Sequence, residues 1–219
     1  FNMKKVALIV AGGNGERMNS KIPKQFLLLN NFPILMHTIK KFLHFDKTIL
    51  VLPKIQFEYW EKLCKEINFD EKYTLVEGGN NRFLSVKNGL AKIDETSIVA
   101  IHDGVRPLVT KALIDKLVKK TKKGIGVIPI IPIKDSIRKI EGGNSKHIDK
   151  RNLYIVQTPQ YFISDDIQDA YRQEISEKFT DDASVFESNG GKILTVLGEE
   201  RNLKITTFED LEIAEIFMQ

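Results

Sequence analysis

The segment between positions 6 and 26 carries the clearest chemical signal in this sequence. An apolar, β-branched run over 6–10 leads into a loop with three glycines within 12–15. This order predicts a buried parallel strand and then a turn whose backbone N–H groups a ligand can approach closely. Two cations, Arg17 and Lys24, follow with no acidic residue between them. Because exposed N–H groups and cations both attract anions, the segment predicts a polyphosphate site.

Two common glycine loops do not fit this segment. A Walker loop needs a Gly-Lys pair followed by Ser or Thr, and the sequence contains no such run. A dinucleotide fingerprint could begin at Gly13, but its third glycine position holds Met18. The second apparent strand ends in Pro53-Lys54 without an acidic residue for a ribose. We therefore expect neither a nicotinamide nor a flavin enzyme.

Five further motifs follow the first loop. In chain order they are Gly78-Gly79-Asn80-Asn81-Arg82 with Ser85-Val86, His102-Asp103-Gly104-Val105-Arg106-Pro107, Thr158-Pro159-Gln160, Thr180-Asp181-Asp182-Ala183-Ser184, and Asn202-Leu203-Lys204-Ile205-Thr206. Together with the glycine loop and Pro23-Lys24-Gln25, they resemble the 2-C-methyl-D-erythritol 4-phosphate cytidylyltransferases of the non-mevalonate isoprenoid pathway. Six ordered matches over nearly the whole chain are far more specific than one glycine loop.

The resemblance implies a reaction and assigns residues to it. CMP would pass from CTP to 2-C-methyl-D-erythritol 4-phosphate, pyrophosphate would leave, and Mg²⁺ would be the cofactor. The implied catalytic residues are Arg17, Lys24 and Lys204. The implied nucleotide-binding residues are Ala11, Gly12, Gly13, Asn14, Gly15, Gly78, Gly79 and Ser85. Contacts to the polyol phosphate are implied for Asp103, Arg106, Ser136, Arg151, Thr158 and Thr180, with Asp103 also a candidate Mg²⁺ ligand.

Two departures from the family pattern and two rival functions accompany this assignment. Ser136 stands where the family usually has threonine, and Gly104-Val105 replaces a frequent pair of alanines. A ribitol 5-phosphate cytidylyltransferase would share the glycine loop, the Pro-Lys-Gln motif, the His-Asp-x-x-Arg-Pro motif and the use of CTP. The first and fourth of the later motifs, with Arg82 and Ser85 in one and Thr180 to Ser184 followed by Glu187 in the other, resemble the methylerythritol enzymes instead. A nucleotide-binding regulatory protein remains the non-enzymatic alternative, and the presence of all three implied catalytic cations favours an enzyme.

Apolar runs alternate with helical periodicity along the chain. We predict strands near 5–10, 48–52, 74–77, 98–102, 126–131 and 192–197. Helical faces between them are formed by Leu35, Ile39, Phe42 and Leu43, by Phe83, Val86 and Leu90, and by Leu113, Leu117 and Val118. The pattern predicts one α/β domain over 1–219 with a doubly wound, mostly parallel, Rossmann-like sheet, and the family resemblance implies that this is a nucleotidyltransferase sheet. Ligands of such sheets bind at the carboxyl ends of the strands, where the first three motifs should converge.

Two segments stand apart from this alternation. Residues 134–151 contain two short runs around Glu141-Gly142-Gly143-Asn144, which predicts a β-hairpin. The family resemblance implies that this arm embraces a second subunit in a homodimer and supplies residues to its site. The last helix should begin at a capping box formed by Thr207 and Asp210. Its core residues are predicted to be Leu211, Ile213, Ala214 and Phe217.

The composition indicates which kinds of ligand and which cellular compartment suit this chain. The formal net charge is +4 over 219 residues, and the lysines are scattered, so we expect small anionic substrates and no nucleic acid. The single cysteine, Cys64, lies in an apolar helical register and cannot form an intrachain disulfide, which favours the cytoplasm. No apolar run approaches the roughly 20 residues of a membrane span.

Overall fold

The structure is a computed structural model that describes residues 3–12 and 22–219. Within these residues the strands are β1 (Lys5–Val10), β2 (Leu28–Leu29), β3 (Phe32–Pro33), β4 (Lys47–Leu52), β5 (Thr74–Glu77), β6 (Ile98–Asp103), β7 (Ile125–Pro132), β8 (Ile137–Glu141), β9 (Asn144–Ile148), β10 (Tyr154–Val156), β11 (Gln160–Ile163) and β12 (Lys192–Leu197). The helices are α1 (Ile34–Lys40), α2 (Phe57–Ile67), α3 (Arg82–Leu90), α4 (Lys111–Val118), α5 (Ser164–Ala170), α6 (Asp182–Ser188) and α7 (Phe208–Phe217). Two one-turn 3₁₀ helices, Lys24–Phe26 and Lys54–Gln56, each follow a proline.

Eight strands form one mixed sheet with the order β10-β7-β11-β6-β1-β4-β5, and β12 also pairs with β7. Pairing is parallel between β1 and β4, β1 and β6, β4 and β5, and β7 and β12. It is antiparallel where β10 meets β7 and where β11 meets β6 and β7. The predicted α/β class is confirmed, and the six predicted strands are all present.

Strand β11 was not among the predicted strands. Its four residues, Gln160–Ile163, are all buried, and it lies between β6 and β7 in the sheet. A four-residue run directly after Pro159 is too short to show a period of its own, so only its burial in the sheet identifies it. Because β11 runs antiparallel to β6, it begins at the edge of the sheet where β6 ends. The Thr158-Pro159 segment is thereby brought next to Asp103.

The sheet is covered by helices on both faces. Alternate residues of β1 separate in the way a pleated strand requires, with Ala7 and Ile9 in one apolar cluster and Val6, Leu8 and Val10 in another. The first cluster includes side chains of α1, α2 and α4, and the second includes side chains of α3, α5 and α6. This is the doubly wound arrangement that the alternating pattern predicts. No helix of the described ranges is long and apolar enough to span a bilayer.

Three side chains assigned to apolar helix faces from the sequence are exposed in the structure. In α7, Ala214 is buried and Leu211 packs against a small cluster, but Ile213 and Phe217 are exposed. Helix α7 lies beside the short β2–β3 ladder at the margin of the fold, so only one narrow stripe of it is covered. Leu43 is also exposed, because α1 ends at Lys40 and the chain turns before reaching it. The capping box of Thr207 and Asp210 is confirmed.

The predicted hairpin is confirmed and forms a two-stranded sheet of its own. Strands β8 and β9 pair from Ile137 with Ile148 to Glu141 with Asn144. Both turn residues have positive φ, +53° at Gly142 and +81° at Gly143, as a tight two-residue turn requires. The strands that flank this arm, β7 and β10, pair with each other and set Pro132 opposite Tyr154. The arm is therefore inserted at the tip of another hairpin.

Candidate active site

One crevice lies at the carboxyl ends of the central strands. Its described lining comes from the end of β1, the 3₁₀ turn after Pro23, the start of α3, the end of β6 and the loop after β12. The residues are Val10, Ala11, Gly12, Lys24, Gln25, Gly79, Asn80, Asn81, Arg82, Ser85, Asp103, Val105 and Lys204. The predicted convergence of the first three motifs at one crevice is confirmed. Of the predicted site residues, Gly13, Asn14, Gly15 and Arg17 lie outside the described residues.

Ser85 joins the two glycine segments at one end of the crevice. Its hydroxyl donates to Asn81 O at 2.8 Å and accepts from Gly79 N at 3.1 Å. A Cβ on Gly78 would lie 3.0 Å from the Ser85 hydroxyl oxygen, and one on Gly12 would lie 3.6 Å from it. Because Gly12 and Gly78 have no side chains, their backbones can lie close to the Ser85 hydroxyl. The Asn81 side chain caps α3 by accepting from Leu84 N, so the positive end of this helix faces the crevice.

Lys24 is held at the crevice by the buried residue next to it. It opens the 3₁₀ turn after Pro23, and the following Gln25 is buried. The Gln25 side-chain amide donates to Ala11 O at 2.9 Å and to Gln56 Oε1 at 2.7 Å. These two bonds join the turn to the end of β1 and to the segment after β4. Lys24 thus enters the crevice from a position that the central sheet fixes.

Asp103 is the centre of a cluster of cations. Its Oδ2 lies 3.1 Å from Arg106 Nε and 3.1 Å from Lys204 Nζ, and its Oδ1 lies 3.9 Å from Arg82 Nε. Burial alone would raise the pKa of the Asp103 carboxyl. The charges of Arg82, Lys204 and Arg106 outweigh burial and hold that pKa well below its usual range. Asp103 is therefore ionised at neutral pH, and three cations surround one carboxylate.

His102 and Thr158 fix the backbone of this cluster. His102 Nε2 lies 3.0 Å from Arg106 O, and a carbonyl only accepts, so Nε2 carries the ring proton. Nδ1 then accepts from the Thr158 hydroxyl at 2.9 Å, and that hydroxyl accepts from Asp103 N at 3.0 Å. Burial is the main cause that lowers the pKa of His102 to about 4. The ring is neutral and serves as a rigid spacer between Asp103 and Arg106.

Lys204 lies in the loop between β12 and α7. Ile205 N donates to Val105 O at 2.9 Å, which ties the loop to the segment after Asp103. On the other side, the buried Asn202 donates to Thr158 O at 2.8 Å, and its own carbonyl accepts from Arg106 Nη1 at 2.9 Å. Backbone and side-chain contacts with residues remote in sequence thus set the position of Lys204.

The remaining predicted substrate contacts do not line the described crevice. Thr158 is buried beneath it, and its only hydroxyl proton is directed at His102. Thr180 is exposed just before α6, where its N–H donates to Ser184 Oγ. Ser136 and Arg151 are both exposed at the base of the arm. The Arg151 side chain is 86% exposed and pairs with Asp149.

Arg82 is a crevice residue to which sequence reasoning gave no role. It is the first residue of α3, and its guanidinium binds Asp182 through two parallel bonds of 2.8 and 2.7 Å. It stands in a quoted motif, but its partner Asp182 belongs to another motif far along the chain. A cation at the start of a helix that follows a glycine segment was the signal that could have singled it out.

The chain has a doubly wound sheet, a crevice lined by glycines and a cluster of cations beside it. Together these features define a nucleotidyltransferase. The family model for "IspD: 2-C-methyl-D-erythritol 4-phosphate cytidylyltransferase" matches residues 5–219, and the chain belongs to this family. A protein of that name from Azobacteroides pseudotrichonymphae is 50% identical over 218 residues, covering 97% of each chain. The one from Bacteroides fragilis is 43% identical and covers 99% of this chain and 100% of its own.

Solved structures agree with this assignment. A crystal structure of Francisella tularensis 2-C-methyl-D-erythritol 4-phosphate cytidylyltransferase is 30% identical, with a TM-score of 0.81 and coverage of 97% of this chain and 99% of its own. A crystal structure of a 4-diphosphocytidyl-2C-methyl-D-erythritol synthase is 26% identical, with a TM-score of 0.82 and complete coverage of both chains. The likeness extends over the arm as well as the sheet.

Proposed function

We propose that the crevice is where this chain carries out the reaction of its family, the transfer of CMP from CTP to 2-C-methyl-D-erythritol 4-phosphate. The observation that carries the proposal is the meeting of a glycine-lined end, at Gly12, Gly79 and Ser85, with the cation cluster around Asp103. The first end fits a nucleotide and the second fits a phosphate. Family membership supports this function over ribitol 5-phosphate transfer and over a regulatory protein without activity.

The chemistry needs positioned charge more than acid–base groups. An oxygen of the substrate phosphate attacks the α-phosphorus of CTP, and the bond from that phosphorus to the β-phosphate oxygen breaks, so pyrophosphate leaves. A phosphate monoester is largely doubly ionised at neutral pH and needs no base to become a nucleophile. Lys24 and Lys204, with Arg17, stabilise the charge that gathers around phosphorus. Asp103 and Arg106 hold the polyol phosphate.

The donor set of the crevice fits Mg²⁺ as the cofactor. Mg²⁺ binds through one or two carboxylates together with substrate phosphates and water. Asp103 Oδ2 lies 3.1 Å from both Arg106 Nε and Lys204 Nζ, and Oδ1 lies 3.9 Å from Arg82 Nε. Asp103 is the carboxylate among the described lining residues, so it is the residue that would ligate the ion. When bound, Mg²⁺ neutralises part of the triphosphate charge.

The arm supports a homodimer in which each subunit completes the other's site. A two-stranded hairpin alone is marginally stable in water, so packing on a second copy would account for its order. Ile140 on the arm and Tyr154 and Ile155 on β10 are large apolar side chains that are exposed. We propose that they face the second copy and that Ser136 and Arg151 reach the polyol phosphate there. The single buried thiol, Cys64, fits a cytoplasmic enzyme.

The function is tested by pyrophosphate release from the purified protein. Each of the four nucleoside triphosphates is incubated with Mg²⁺ and either 2-C-methyl-D-erythritol 4-phosphate or ribitol 5-phosphate. We expect release with CTP and the methylerythritol substrate, and loss of release in excess chelator. Preference for ribitol 5-phosphate would overturn the substrate, and equal use of all four nucleotides would overturn the nucleotide. Full activity in chelator would overturn the cofactor.

A further inference from the structure

Arg82 joins three parts of the molecule at the crevice. It starts α3, directly after the capping residue Asn81 and close to Ser85. Its guanidinium contacts Asp182 of α6 and lies 3.9 Å from Asp103 at the end of β6. The side chain is 32% exposed, and the exposed part belongs to the crevice lining. The Arg82 guanidinium is thus bound to Asp182 on one side and exposed to the crevice on the other.

Asp182 and Asp103 leave part of this guanidinium uncommitted. A guanidinium has five N–H bonds. One bond from each terminal nitrogen of Arg82 is directed at Asp182, at 2.8 and 2.7 Å. Nε is 3.9 Å from Asp103 Oδ1, beyond hydrogen-bond distance. Neither carboxylate accepts a hydrogen bond from the other three N–H bonds of the guanidinium. These three can donate to an anion bound in the crevice.

The support behind Arg82 is rigid. Asp182 is fully buried, and the Tyr171 hydroxyl donates to its Oδ1 at 2.6 Å. The Tyr171 ring stacks on Phe83, the neighbour of Arg82 in α3, with ring centres 4.7 Å apart. Both ends of the Arg82–Asp182 pair are therefore anchored to the same packed face. A side chain oriented before its ligand arrives loses little freedom on binding.

We propose that Arg82 is a substrate-binding residue that donates to the phosphate of the polyol substrate, and that Asp182 and Tyr171 are its positioning residues. The inference rests on the proposed function of the crevice. The polyol phosphate is favoured over the triphosphate because Arg82 shares Asp103 with Arg106 and Lys204, the cation cluster assigned above to a phosphate. A planar guanidinium can bind a phosphate through two oxygens, which a lysine cannot do.

The test separates the two substrates. Arg82→Gln alone would leave the buried Asp182 carboxylate without its cation, so the main variant is Arg82→Gln combined with Asp182→Asn. The KM for 2-C-methyl-D-erythritol 4-phosphate is measured at saturating CTP, and the Kd for CTP is measured by calorimetry. We expect the KM to rise at least about tenfold while the Kd for CTP changes less than about twofold. Arg82→Lys should restore part of the loss.

Two further variants separate positioning from folding. Tyr171→Phe keeps the ring on Phe83 but removes the bond to Asp182, so we expect a smaller rise in the same KM at an unchanged melting temperature. Arg172→Gln, which breaks an exposed pair with Asp169, is the matched control and should change neither constant. An unchanged KM in the double variant, or a loss of CTP affinity instead, overturns the inference. An inactive wild type in the same assay would overturn the proposed function and not this inference alone.

Discussion

At the scale of single residues, Asp103 organises the cations of the crevice instead of acting as a base. Its carboxylate accepts from Arg106 and lies within 3.1 Å of Lys204, and its pKa is held well below the usual range by those charges together with Arg82. A group that stays ionised at every working pH gives no pH dependence to turnover. Its contact with Lys204 holds that lysine at the crevice, where we propose that it stabilises the transferred phosphorus.

Lys204→Ala tests that placement. We expect kcat to fall by about a hundred- to a thousandfold, since removal of one donor to developing charge typically has this effect. The melting temperature should change little, because Lys204 is 40% exposed and Asp103 keeps Arg106. Lys111→Ala, which removes an exposed lysine paired with Asp115, is the control and should retain full turnover. A wild-type kcat in the Lys204 variant would contradict the assigned role.

The buried His102 makes stability depend on pH. Its pKa falls from an ordinary 6.5 to about 4 on folding, so the unfolded chain binds more protons below pH 6.5. Stability from this side chain is complete above that value and is lost as the pH falls towards 4. The loss amounts to about 2 kcal/mol between pH 7 and pH 5.

Urea unfolding at these two pH values measures the effect of His102. His102→Gln keeps a donor for Arg106 O but cannot titrate, so its stability should fall by less than that of the wild type. His37 and His44 also have lowered pKa values, but they are present in both proteins and cancel in the difference. Equal losses in the two proteins would show that His102 is not neutral in the fold.

Single residues could be predicted from the sequence when a motif carried them. Lys204 was identified by its motif, although a lone lysine says nothing by itself. The hydroxyl of Thr158 was assigned to substrate, whereas it bonds to His102 and to the Asp103 backbone. Arg82 received no role because Asp182, its partner, is distant in sequence. Contacts across the fold have no local pattern, so sequence reasoning found the residues and missed their partners.

At the scale of elements, close packing explains Gly104 where the family often has alanine. A Cβ at this position would lie 2.7 Å from Ala11 Cβ and 3.0 Å from Leu35 Cδ1. The end of β6 therefore approaches the end of β1 and helix α1 more closely than an alanine permits. The departure from the family pattern at Gly104 is therefore explained by close packing beneath the crevice.

Gly104→Ala should destabilise the protein. We expect a loss of about 1–3 kcal/mol in the free energy of unfolding, the usual effect of overpacking a core. Ala11→Gly removes the atom that the new methyl group would meet, so the double variant should recover part of the loss. The measurement is a double-mutant cycle by denaturant unfolding. Strictly additive losses would contradict the close contact between these two positions.

At the scale of the whole molecule, the dimer proposal predicts complementation between two inactive subunits. Lys24→Ala and Arg151→Gln damage different halves of a shared site. In a mixed dimer one crevice carries both changes and the other carries neither. Random exchange of equal amounts should then restore about a quarter of wild-type activity, because half the dimers are mixed and each has one intact site.

A second mixture controls for this result. Lys24→Ala and Lys204→Ala both alter residues of the same subunit's crevice, so every site in their mixed dimer keeps one lesion and activity should not recover. No recovery in the first mixture, once subunit exchange is demonstrated by mass spectrometry, would contradict the shared site. A fully active monomer in sedimentation would contradict it as well.

The sequence predicted the architecture of the sheet more completely than it predicted which side chains are buried. Alternating apolar runs predicted the six strands and both covered faces, because each depends on a local period. Strand β11 was missed because its four residues show no period, and the exposed Ile213 and Phe217 of α7 were assigned to the core because the same period fits a helix at the margin. The burial of a side chain depends on which other elements pack against it, and the sequence of a single element does not show those neighbours.

The pairing of Pro132 with Tyr154 makes the arm an exchangeable insert. Because the chain leaves β7 and returns on β10 at neighbouring positions, residues 133–153 could be replaced by a short turn without shifting the register of the sheet. Arms from relatives could be grafted at the same two positions. In the proposed dimer, subunit choice and folding of the sheet could therefore be varied separately, and variants could be engineered to pair only with chosen partners.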